Sequence, residues 1–240
     1  MSDVSSFISD LKSVSQQNTV KITVPSINKV VEFKSLTVKQ QKDALKASLS
    51  GPQGTLLFFN TLNNIIEENS QEKINFTIQD RVYIIIQLRN YSLGASYKKN
   101  DKVYDLSTSF KELTPVKGLT VNYKGIEVTL SIPTLAKDTT INSKCVQEIK
   151  NKQAEDIADV IDVLYAYEII KFIKDIELNE VKVDFEALSF KEKRSLVDEL
   201  PLALNKEILT AITQIKSYDD NYLQIDGEDL VLDVSLLTSD

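Results

Sequence analysis

The chain has 240 residues, 42% of them hydrophobic and 26% charged, which is the composition of a folded protein with enough apolar residues to bury a sizeable core. It has no histidine and one cysteine, Cys145, so it lacks Ser-His and Cys-His nucleophiles, the usual Cys/His zinc site and an intrachain disulfide. The net charge of −7 argues against a nucleic-acid partner, whose phosphates would demand clustered Lys and Arg.

The N-terminal stretch "MSDVSSFISDLKSVSQQ" lacks the cationic flank and apolar run of a leader, so the protein is expected to remain where it is made. "KITVPSINKVVEFK" follows, with Ile22 and Val24, then Val31 and Phe33, alternating with polar residues across a Pro/Asn turn. This predicts a β-hairpin with its apolar face buried against the first helices. Thr37 and Gln40 have the spacing of a capping box, in which each side chain satisfies a backbone N–H of the other residue, and they start a helix over 38–49 that Gly51 and Pro52 stop. A helix over 55–68 carries Phe58, Phe59, Leu62, Ile65 and Ile66 as one stripe. The next helix, "IQDRVYIIIQLRN", is apolar almost all round its axis and is therefore expected to be central and buried.

After Gly94 the pattern turns towards β, and Lys124-Gly125 joins strands over 119–123 and 126–132. A polar segment then leads to a long helix expected over 154–176, whose apolar face drifts. Ile157, Val160, Ile161 and Leu164 share one side, and Tyr165, Ile169, Phe172, Ile173 and Ile176 lie about a quarter turn away. Either the helix meets two neighbours inside the fold or one end is offered to a partner. A second capping box, Ser189 and Glu192, starts a short helix, and a helix over 201–217 follows. The chain then alternates through "DLVLDVSLL", read as a C-terminal strand.

The expectation is α+β and mostly helical, with an N-terminal hairpin, a central β-rich insertion and a C-terminal strand. One unit over 1–240 is expected, organised as 1–94, 95–133 and 134–240.

Acidic groups are the remaining candidates for chemistry: Asp156, Asp159 and Asp162; Asp219 and Asp220; Asp226, Glu228 and Asp229. They read as solvated helix faces and turns, although the first three would support a metal-dependent hydrolase if they faced one ion. Glycines at 51 and 54 lack the phosphate-loop pattern and read as a helix stop, and Cys145, despite Lys144 and Lys150 nearby, reads as a small buried hydrophobe. No catalytic, cofactor or metal residue is assigned. Leu230, Leu232, Val234 and Leu236 form a period-2 row near the chain's end and are the best partner-facing element, unless they pair with a hairpin of the same chain.

Four stretches, "VPSINKVVEFKSLTVKQQKDALKA", "IIIQLRNYSLG", "GIEVTLSIPT" and "GEDLVLDVSLLTSD", resemble in order and spacing the T4-like phage baseplate hub family. The resemblance implies a structural or assembly protein of the central hub of a contractile tail. Such a protein would act through contacts with other hub or tail proteins in the host cytoplasm, whether or not it is then retained in the virion. The alternative within this setting is a transient assembly chaperone for the tape-measure protein. Some relatives carry cysteines that could hold a metal in the β insertion. This chain has no cysteine between Leu93 and Ser143, so no metal role is carried over.

Overall fold

A computed structural model describes residues 4–107, 115–151, 157–220, 223–225 and 228–238. In chain order the elements are α1 (Val4–Gln17), β1 (Thr19–Val24), β2 (Lys29–Lys34), α2 (Val38–Ser48), α3 (Gly54–Asn69), α4 (Ile78–Leu93), β3 (Ser96–Lys99), β4 (Lys102–Asp105), β5 (Leu119–Tyr123) and β6 (Ile126–Leu130). They continue with α5 (Leu135–Asn151), α6 (Ile157–Phe172), β7 (Ile173–Leu178), β8 (Val181–Asp184), α7 (Phe190–Asp198), α8 (Leu202–Asp220), β9 (Gln224–Ile225) and β10 (Glu228–Asp229). The fold is α+β and mostly helical. It forms two compact units, the first comprising 1–76, 80–113 and 219–240 and the second 77–79 and 114–218.

In the first unit β1 and β2 pair antiparallel with Ile22 opposite Val31 and Val20 opposite Phe33. Ile22, Val24, Val31 and Phe33 are all buried, as the alternation predicts, and the Phe33 ring meets Phe76 at 5.7 Å between centroids. Thr37 and Gln40 form the capping box of α2. The helix gives way at Gly51, whose φ of +70° lies in the left-handed region that a side chain would disfavour. The middle of the unit is filled by Leu62, Ile65 and Ile66 of α3 with Val82, Ile84, Ile85, Ile86 and Leu88 of α4, so α4 is central as expected. Polar groups on α4 are buried too. Asp80 accepts hydrogen bonds from the backbone N–H (2.8 Å) and hydroxyl (2.7 Å) of Ser26 and so ties the β1–β2 turn to the helix. The Arg81 guanidinium lies 4.3 Å from the centre of the Phe59 ring.

The second unit is built on a four-stranded antiparallel sheet in the order β5-β6-β7-β8. Lys124-Gly125 between β5 and β6 and Asn179-Glu180 between β7 and β8 have positive φ at both positions, the two-residue hairpin geometry whose twist matches that of the strands. Asn100-Asp101 makes the same turn between β3 and β4 in the first unit. The two hairpins between residues 95 and 133 therefore belong to different sheets.

Three expectations are corrected. The stretch after Pro133 is not merely a polar segment but the helix α5. Its buried side includes Ile141, Cys145, Val146 and Ile149 together with Asp138 and Asn142. The helix expected over 154–176 stops at Phe172, because the chain turns extended at Ile173 and pairs with β6, Ile176 lying opposite Val128; residues 154–156 lie outside the described residues. The C-terminal strand is not formed. β10 is two residues long, and Val234–Leu237 is a 3-10 turn capped by Asp233, whose carboxylate accepts from the Ser235 N–H at 2.8 Å. That local bond competes with strand geometry and ends the alternation.

Candidate interaction sites

The C-terminal segment is drawn onto its own unit by polar groups that alternation does not reveal. Arg89, buried on α4, donates from Nε to the Leu236 carbonyl (3.3 Å), from Nη2 to the Ser96 carbonyl (2.7 Å) and from Nη1 to the Gly94 carbonyl, with its guanidinium 5.6 Å from the Tyr97 ring centre. Gln41 donates to the Leu237 carbonyl at 2.7 Å, and the Tyr97 and Ser235 hydroxyls are 2.6 Å apart. Glu228 accepts from Lys102 and Tyr104, and Lys99 pairs with Asp233 at 3.5 Å. Of the predicted partner-facing residues, Leu230 and Leu236 are buried, whereas Leu232 and Val234 are half-buried. They do not share an exposed face.

The acidic groups are mostly spoken for or undescribed. Asp156 and Asp226 lie outside the described residues, as do the side chains of Asp159, Asp219, Asp220 and Asp229. Asp162 pairs with Arg194, which also pairs with Asp198 at 3.3 Å and lies 3.6 Å from Glu148. Beside this cluster, Tyr167 donates to Glu148 at 2.8 Å and Lys171 pairs with buried Asp138 at 2.8 Å. Glu168 sits between Lys171 (3.5 Å) and Lys216 (3.0 Å); burial would raise its pKa, but the two ammonium groups outweigh burial and hold the carboxyl below its usual range. Among the described residues, no group of three or more His, Cys, Asp or Glu side chains is close enough to hold a metal ion.

Cys145 is buried, and burial pushes its thiol up to about 12 even though Lys171 and Arg194 pull the other way. A buried thiol whose thiolate is disfavoured is a weak nucleophile.

Apolar exposure is the more informative surface property, since large exposed patches on a folded protein mark contact sites. α1 carries Val4, Phe7, Ile8, Leu11 and Val14 exposed along one helix, and α2 adds Val38 and Leu45, with Leu49 exposed at its C-terminal cap. In the second unit, exposed Tyr165 and Leu202 line a groove of about 750 Å³ with Lys206 and Leu209, and Asn205 donates to the Tyr165 hydroxyl beneath it. Exposed Ile161 lies one helical turn before Tyr165, on the edge of α6 that looks away from buried Val160 and Val163. α1 lies outside the elements expected from the sequence, although its five apolar residues have helical spacing. Among the described residues no helix is long and apolar enough to cross a membrane.

An α+β fold whose helices hold apolar faces to solvent has the surface of a protein that packs against other proteins. The chain belongs to the family of T4 bacteriophage base plate proteins, whose model matches residues 17–218. No curated protein and no solved structure matches it.

Proposed function

We propose that this base plate protein is a structural or assembly subunit of the central hub of a contractile phage tail, working through contacts with other baseplate proteins. One observation carries the reading: a chain matched over 17–218 by the base plate family holds large apolar side chains exposed on folded helices of both units. The narrower hub assignment rests on the four segments that resemble hub proteins. In the fold these are the β1–β2 hairpin with α2, the end of α4, the strand β6 running into α5, and the C-terminal segment. They are elements that build the scaffold, so the resemblance is one of architecture and not of a surface site. On this reading the protein assembles with its partners in the host cytoplasm and stays in the tail.

The test is quantitative mass spectrometry of purified particles with isotope-labelled peptides of this chain, followed by gold labelling of dissociated baseplates. A constant copy number with label at the baseplate centre is the expected result. Absence from the particle, or label confined to the periphery, overturns the hub assignment.

A further inference from the structure

The helix α1 holds Val4 at 70% exposure, Phe7 at 61%, Ile8 at 46%, Leu11 at 54% and Val14 at 65%, and every residue of α1 whose burial is described is exposed. The positions 4, 7, 11 and 14 alternate steps of three and four residues, the a and d spacing that keeps an apolar seam on one side of a helix, and Ile8 widens that seam. Around it stand Ser5, Ser6, Ser9 and Ser13, with Asp10 as a lone acid, so the seam itself bears no charge. The family match begins at residue 17, the last residue of α1, and the seam lies wholly outside it.

The size and chemistry of this face select its occupant. A second copy is a poor fit. Two heptads of partly exposed side chains offer on the order of 500 Å² per chain, against about 800 Å² per partner in a stable interface. An anionic membrane surface is a poor fit too, since helices that bind one lean on a Lys/Arg-rich polar face, whereas this helix has Lys12 alone and the chain carries a net charge of −7. What fits is a preformed apolar groove, which wraps a short helix from more than one side and buries more area per anchor than a flat helix-to-helix contact. From Val4 to Val14 the seam spans about 15 Å, the length such a groove must have.

Building on the baseplate reading above, we infer that α1 is a docking helix whose Val4, Phe7, Leu11 and Val14 seam, with Ile8, seats in an uncharged apolar groove of another baseplate protein.

The test uses the full chain, supplied in trans during phage growth, as wild type, as Phe7→Ser with Leu11→Ser, and as the conservative Phe7→Leu with Leu11→Met. A photo-crosslinking amino acid in place of Phe7 then reports what the helix touches. The serine pair is expected to melt like wild type yet enter particles at least about tenfold less, the conservative pair is expected to enter normally, and the crosslink is expected to join Phe7 to an apolar helical segment of a different baseplate protein. Normal incorporation of the serine pair overturns the proposal, as does a crosslink between two copies of this chain. Unfolding of the serine pair overturns it as well, because the seam would then belong to the core. Flotation of the wild type, but not the serine pair, with phosphatidylcholine vesicles would assign the face to lipid instead. If the wild-type chain is missing from finished particles but the crosslink forms during assembly, the reading as a resident hub subunit fails while the docking helix stands.

Discussion

Two apolar segments of the first unit have opposite fates. Both carry Leu and Val at regular spacing near a chain end, α1 over Val4–Val14 and the C-terminal segment over Leu230–Leu237. The first displays its apolar side chains, while the second buries Leu230, Leu236 and Leu237. The difference lies in the polar groups around them. The C-terminal backbone meets Arg89 and Gln41, donors aimed at the Leu236 and Leu237 carbonyls, and its side chains meet Tyr97, Lys99, Lys102 and Tyr104. Periodicity says that a segment has an apolar face; buried polar anchors elsewhere in the chain decide whether that face is covered.

The strongest way to break this contrast is to remove the central anchor. Arg89→Ala takes away hydrogen bonds to the carbonyls of Gly94, Ser96 and Leu236 and leaves the buried Leu236 carbonyl without its charged donor, so it is expected to cost about 3 to 4 kcal/mol in chemical denaturation. Unchanged stability would mean that the C-terminal segment holds itself in place. Next in size is Leu236→Ala. This side chain is 1% exposed, but it sits in a short turn that has room to settle, and the expected loss is about 2 to 3 kcal/mol. A cost below about 0.5 kcal/mol would place Leu236 with the exposed residues.

These anchors also show what was legible in the sequence. Both capping boxes, at Thr37 with Gln40 and at Ser189 with Glu192, form as their spacing predicts, because a cap is a local exchange of hydrogen bonds among four residues. The β1–β2 and β5–β6 hairpins, α3, α7 and α8 were likewise legible from alternation, stripes and turn residues. Failures came where the deciding partner is remote. α5 hid because Asp138 and Asn142 occupy its buried side, which dilutes the apolar period, and Asp138 is accommodated there by Lys171 on α6. The run "FIKDIEL" looks like a continued helix until β6 supplies a strand for Ile173 and Ile176 to pair with. In the sequence Arg89 is one polar residue of a central helix, and nothing local signals that it reaches across the chain to the Leu236 carbonyl.

Acidification sharpens the contrast more gently. Hydrogen bonds from Lys102 and then Tyr104 hold the Glu228 carboxyl below its ordinary pKa of 4.5. Because the folded value is the lower one, this contribution is fully present above the unfolded pKa and is lost as pH falls through the folded value. Hydrogen-exchange protection at residues 223–225 and 228–238 is therefore expected to fall, relative to that of β1 and β2, as the pH drops from neutrality to below about 4. Protection that does not change with pH would show that Arg89 and Gln41 suffice without the Glu228 contacts.

The smallest effect is expected from repeating the leucine truncation on the exposed segment. Leu11→Ala removes the same atoms as Leu236→Ala, but Leu11 is 54% exposed where Leu236 is 1%, so there is little burial to lose and no enclosed cavity to leave. Alanine is also at least as good a helix former as leucine, and the backbone of α1 has no reason to object. The two terms leave the melting of the full chain within about 0.5 kcal/mol of wild type. Measured side by side, the two truncations ask whether identical chemistry on two apolar segments separates by about 2 kcal/mol or more, the gap expected between a full-sized core truncation and an exposed one. If Leu11→Ala costs as much as Leu236→Ala, α1 is folded onto its own unit and the contrast between the two segments disappears.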